Sequence, residues 1–76
     1  MKDTNALIGE WLAEQRKRKG WSQQYVADHL GCTRTAVHYW ESGKRTIYAV
    51  NLVDYCHLLN ADIEELTKHL KNIGAL

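Results

Sequence analysis

Three glycines and one asparagine divide this chain into pieces too short for anything but small helices. Gly20 follows RKRK, Gly31 follows VADHL, Gly43 follows YWES and Asn60 follows YCHLL. Each stands where a helix would end on a residue at positive φ, a conformation open to glycine and tolerated by asparagine. Beyond three of these breaks comes an N-cap residue: Ser22 before QQYVADHL, Thr33 before RTAVHYWE and Asp62 before IEELTKHL. Asp62 with Glu65 three positions on has the spacing of a capping box. The punctuation predicts five helices, near 4–19, 23–30, 34–42, 48–59 and 62–71.

Apolar residues inside those spans recur at helical spacing: Ile8 and Leu12; Val26 and Leu30; Val37 and Trp40; Leu52, Cys56 and Leu59; Ile63, Leu66 and Leu70. No stretch alternates long enough to make a strand. Gly9, inside the first helix, costs about 1 kcal/mol relative to alanine, which predicts a first helix that frays or starts late. The expected fold is all-α, a compact five-helix bundle in a single domain over residues 1–76.

With 76 residues the chain is one domain at most, and 45% apolar residues with three tryptophans and four tyrosines suffice for a small core. It has no basic-then-apolar leader and no apolar run near the ~18 residues of a membrane span. Its two cysteines, Cys32 and Cys56, lack the spacing of a zinc motif or a disulfide framework. A cytoplasmic protein without membrane attachment is expected. The net charge of +1 hides an asymmetry: residues 1–45 carry eight Lys/Arg against five Asp/Glu, and residues 46–76 two against four. A basic front and an acidic back suit a protein that turns one face to a polyanion.

The second and third helices are joined by only Gly31, Cys32 and Thr33, the geometry of a helix-turn-helix. The third divides cleanly. Val37 and Trp40 face inward with Ala36 at the boundary, whereas Arg34, Thr35, His38 and Tyr39 fall on the opposite side. Arginine at the start of such a helix matches guanine O6 and N7 bidentately, and the Thr35 methyl suits a thymine methyl.

The run RKRKGWSQQYVADHLGCTRTAVHYWESGKR, followed by LVDYCHLLNADIEEL, resembles the Cro and phage-repressor (Xre-type) helix-turn-helix family. The resemblance covers about two thirds of the chain, from Arg16 to Leu66. It implies a lambda-repressor-like DNA-binding domain, its motif about residues 22–42, with residues 47–76 for core and dimerisation. The family often has proline where Ile47 stands, so the entry to the fourth helix is expected to differ; glycine is common where Asn60 stands, a mild change. By this resemblance Arg34, Thr35, His38 and Tyr39 contact bases, Tyr39 alternatively a phosphate, while Ser22, Gln23, Thr33, Lys44 and Arg45 contact phosphates. Glu41 would be repulsive if it faced DNA. The resemblance turns it inward onto Arg16 as a partly buried ion pair. Lys17, Arg18 and Lys19 close the first helix, where cations suit its dipole, and read as a solvated face.

Other chemistry is not indicated. His29 and Cys32 flank a turn, and Cys56 and His57 are helical neighbours pointing about 100° apart, a poor chelate. Both cysteines and Trp11, Trp21 and Trp40 read as core. The chain shows no phosphate loop, paired acids or nucleophile–base pair, so an enzyme is not expected, nor a metal, cofactor or small-molecule ligand. Once the core is assigned, Ile47, Tyr48, Val50, Tyr55, Leu58, Ile73 and Leu76 remain as an apolar surplus, the mark of an interface. The expected protein is a transcriptional repressor that binds near-palindromic double-stranded DNA operators as a homodimer. Two alternatives are an antitoxin that binds its own operator and a toxin, and an interaction module that has lost DNA binding.

Overall fold

The computed structural model describes residues 3–76. Five α-helices account for the regular structure of those residues: α1 Thr4–Arg18, α2 Gln23–Leu30, α3 Arg34–Ser42, α4 Ala49–Leu58 and α5 Ile63–Asn72. Their boundaries follow local chemistry. Asp3, Ser22 and Thr33 sit in extended backbone, and their side chains accept bonds from the amides of Ala6 (2.8 Å), Tyr25 (2.9 Å) and Ala36 (3.1 Å). Those bonds satisfy donors that the first helical turn leaves without partners. At the other ends, Gly31 and Gly43 take φ of 70° and 77°, and Asn60 takes 56°.

The Asp62 capping box does not form, and Asp62 caps the second amide of α5 instead of the third. The Asp62 carboxylate accepts from the amide of Glu64 (3.0 Å), not from that of Glu65, whose N–H bonds the Asp62 carbonyl instead. α4 also starts differently from the others. Its N-cap residue, Tyr48, has no polar group near the amides and makes no side-chain cap bond. Ile47 is buried and anchors the approach to α4.

The core is built from Trp11 and Leu12 of α1, Val26 and Ala27 of α2, Val37 and Trp40 of α3, Tyr55, Cys56 and Leu59 around α4, and Leu66 and Leu70 of α5, closed by Ile47. Ile8, Leu30 and Leu52 pack against it while half-buried. Ile63 departs from the periodic expectation: at the first position of α5 it is 43% exposed, at the rim of a groove between α4 and α5. Trp21 is also only partly buried, because it stacks on the outward-facing Tyr25 (4.8 Å between centroids) instead of inserting.

Gly9 corrects the expectation of a frayed start. α1 begins at Thr4, and Gly9 is buried where α1 crosses α3. A β-carbon there would fall 2.7 Å from the Glu41 carbonyl oxygen and would overlap that of Trp40. The same crossing is close at Gly43, whose added β-carbon would lie 2.8 Å from Cα of Ala6. Missing side chains therefore set how tightly α3 is held against α1.

Candidate nucleic-acid interface

α3 has an anchored side and a presented side. On the anchored side Val37 is fully buried, Trp40 nearly so, and Ala36 half-buried. On the presented side Arg34, Thr35 and His38 are exposed and Tyr39 is half-buried. These four residues and Lys44 line one shallow concavity. A single short helix and the turn after it thus bring together a guanidinium, a hydroxyl with a methyl, an imidazole, a phenol and an ammonium. This set suits base edges and phosphates.

The anchored side ends in a buried polar cluster centred on Glu41. Arg16 of α1 meets its carboxylate bidentately, Nε donating to Oε2 at 2.8 Å and Nη2 to Oε1 at 2.9 Å. Gln23 of α2 donates from Nε2 to Oε1 at 3.0 Å, and the Tyr55 hydroxyl of α4 donates to Oε2 at 2.6 Å. The remaining edge of the guanidinium donates from Nη1 to the Trp21 carbonyl at 2.7 Å. One carboxylate on α3 is therefore bonded to α1, α2 and α4 together. No buried side-chain nitrogen or oxygen among the described residues lacks a partner.

The cluster's electrostatics follow from that geometry. Burial works against ionising Glu41, but the bonds from Arg16, Tyr55 and Gln23 outweigh it and hold the carboxyl below the usual carboxylate range. The bond to Glu41 strengthens the charge on Arg16 against the opposing effect of burial. Tyr55 moves the other way: burial and then the adjacent carboxylate push its phenol well above the ordinary tyrosine value. Arginine, carboxylate and neutral phenol are thus the forms present at neutral pH.

This placement corrects the apolar surplus. Tyr55 is fully buried and belongs to the polar cluster, and Ile47 lies in the core. Leu58 packs partly against that core. Tyr55 and Ile47 offer no free face, whereas Leu58 keeps part of its surface exposed. Tyr48, Val50, Ile73 and Leu76 are exposed, as are Val53 and Ile63, which the periodicity of the sequence did not single out for a surface.

The residues assigned to phosphates are spread around the motif. Ser22 and Thr33 are exposed caps whose oxygens accept backbone bonds, leaving each hydroxyl proton free to donate. Gln23 uses one N–H of its amide on Glu41, and a primary amide carries a second. Lys44 and Arg45 are exposed just beyond α3, both against the Tyr39 ring at 5.8 and 5.0 Å from its centroid. Among the described residues no group of three or more His, Cys, Asp or Glu is placed to hold a metal ion. Burial raises both thiols, that of Cys56 further beside Glu65 and Asp62. No helix is long and apolar enough to cross a membrane among these residues.

Comparison with known proteins identifies the family of the helix-turn-helix. The sequence matches the helix-turn-helix family over residues 12–66. The crystal structure of the restriction-modification controller protein C.AhdI from Aeromonas hydrophila is similar, with 33% identity and a TM-score of 0.76, over 80% of this chain and 92% of that one. Two structures of the clp gene regulator ClgR from Corynebacterium glutamicum superpose with TM-scores of 0.88 and 0.75. They cover 100% and 95% of this chain and 99% and 95% of their own, at 20% and 18% identity, and so speak for the fold alone. No curated protein gives a match.

Proposed function

The chain belongs to the Cro/Xre-type helix-turn-helix family of DNA-binding transcriptional regulators, and from that premise we propose that it reads near-palindromic operators as a homodimer and represses transcription by occupying a promoter. The observation that carries this reading is the split of α3. Its inner side is tied to three other helices through Glu41, so its outer side is presented rigidly. Arg34 and Thr35 at its start and His38 one turn on read base edges in the major groove. Ser22, Gln23, Thr33, Lys44 and Arg45 bind phosphates, helped at Gln23 by the first backbone amides of α2, which have no partner within the helix. The likeness to a restriction-modification controller supports gene regulation over catalysis.

Dimerisation draws on the exposed apolar residues of the C-terminal half, Tyr48, Val50, Val53, Ile73 and Leu76. A two-fold pair built there sets two recognition helices about one DNA turn, roughly 34–36 Å, apart.

Two substitutions separate reading from anchoring. Arg34→Ala is expected to relax base preference at one position of each half-site, at a cost of about 1–3 kcal/mol on the best sequence. Lys44→Ala is expected to weaken binding to every duplex and to flatten the salt dependence by about one unit of slope. Equal losses on all duplexes from both variants would overturn the division.

A further inference from the structure

Tyr39 is the member of the outer face that a base-reading role explains least well. It lies in the last turn of α3, away from the helix start where side chains reach base edges most easily. Tyr39 is half-buried, and two cations lie against its ring, with the tilted His38 ring 6.0 Å away between centroids. Gly43, in the left-handed region at φ 77°, reverses the chain so that the Arg45 amide donates to the Tyr39 carbonyl at 3.3 Å. The Ser42 hydroxyl donates to the same carbonyl, also at 3.3 Å. The reversal returns Lys44 and Arg45 over the residue they have just left. The Lys44 ammonium comes to 5.8 Å and the Arg45 guanidinium carbon to 5.0 Å from the ring centroid, both inside the roughly 6 Å range of a cation–π contact.

We propose that Tyr39 is a positioning residue whose ring holds Lys44 and Arg45 in place for two DNA phosphates before DNA arrives. The proposal rests on the DNA-binding reading above and gives Tyr39 a role within it. Lysine and arginine are the side chains with most rotamer freedom to lose on ordering. A ring that restricts them in the free protein lowers the entropy lost when each meets a phosphate, the general gain of preorganisation. The aromatic face does this without neutralising either cation, as a carboxylate partner would. The Tyr39 hydroxyl is not needed, so phenylalanine serves equally well and an aliphatic residue does not.

The test pairs Tyr39→Phe with Tyr39→Leu and follows binding to a selected operator duplex and to an unrelated duplex across a salt series. Tyr39→Phe is expected to match wild type within about twofold on both. Tyr39→Leu is expected to lose about three- to tenfold on both alike, part of the ordering entropy that two long side chains must then lose on binding. Its salt slope should stay at the wild-type value, because the same phosphates are still met. Loss of Lys44 itself lowers that slope, so a role in ordering is separable from a role in contact. In a Lys44→Ala/Arg45→Ala background the leucine change is expected to have no further effect. Proton chemical shifts of the free protein give a second readout: ring-current displacement of the Lys44 and Arg45 side chains, present in wild type and Tyr39→Phe and absent in Tyr39→Leu. A change in base preference with Tyr39→Phe, or an unchanged affinity with Tyr39→Leu, would overturn the proposal. If wild type retained no duplex at all, the DNA reading and this proposal would fail together, with the ring-current shifts intact.

Discussion

At the scale of single residues, Glu41 decides how α3 is held. Glu41→Gln leaves the Arg16 guanidinium buried without its counter-charge, and breaking a buried pair in this way costs about 3–5 kcal/mol. In a domain of this size each kcal/mol lowers Tm by about 4–8 °C. A fall of more than about 10 °C is therefore expected by calorimetry or circular dichroism. A variant melting within a degree or two of wild type would refute the assignment. Acid gives a second check. The folded carboxyl titrates below its unfolded value of about 4.3, so the unfolded chain takes up the proton first. The stabilisation is complete above that value and is lost as pH falls through the depressed folded one. Wild type and Glu41→Gln should converge in stability toward low pH. A glutamate alone on a helix face otherwise suited to DNA, with the family resemblance, made the Arg16 partnership legible from sequence. The other two partners were not. Gln23 already had an assignment to phosphate, and Tyr55, as an amphipathic residue on a helix, looks as much like an interface residue as a core one. Its hydroxyl finds Glu41 14 positions earlier, a pairing that only tertiary packing creates.

At the scale of elements, boundaries were readable because they are local chemistry. Caps at Ser22 and Thr33 and left-handed residues at Gly31, Gly43 and Asn60 act within a few residues of themselves. Gly9 shows where locality ends. Helix propensity alone says that Gly9→Ala gains about 1 kcal/mol. The crossing of α1 and α3 says the opposite, since the added methyl group meets the Trp40 and Glu41 carbonyls, which belong to backbone and cannot swing aside. Overpacking of this kind costs about 1–3 kcal/mol or more. Gly9→Ala is therefore expected to lower Tm, and because α3 must shift to admit the methyl, to weaken operator binding as well. A more stable variant would mean that the two helices do not cross so closely.

At the scale of the whole molecule, the two ends of the chain differ in charge and in exposed apolar surface. The basic front carries the motif, and the acidic back carries exposed apolar residues at Tyr48, Val50, Val53, Ile73 and Leu76. Sequence found the apolar surplus but misassigned part of it, because a stripe on one helix does not reveal which neighbours will cover it. Tyr55 and Ile47 are used internally, while Val53 is left outside. Sedimentation at tens of micromolar without DNA is expected to give a dimer, and Val53→Lys a monomer with an unchanged helical spectrum. A wild-type monomer under those conditions would count against the assembly.

The most direct test of DNA recognition through α3 is selection from a randomised duplex pool at about 100–150 mM salt, where weak nonspecific retention is suppressed. The predicted result is an enriched inverted repeat with half-site centres about 10 base pairs apart, its preference relaxed at one position per half-site by Arg34→Ala. A pool that stays random, with only weak salt-sensitive retention, would contradict it.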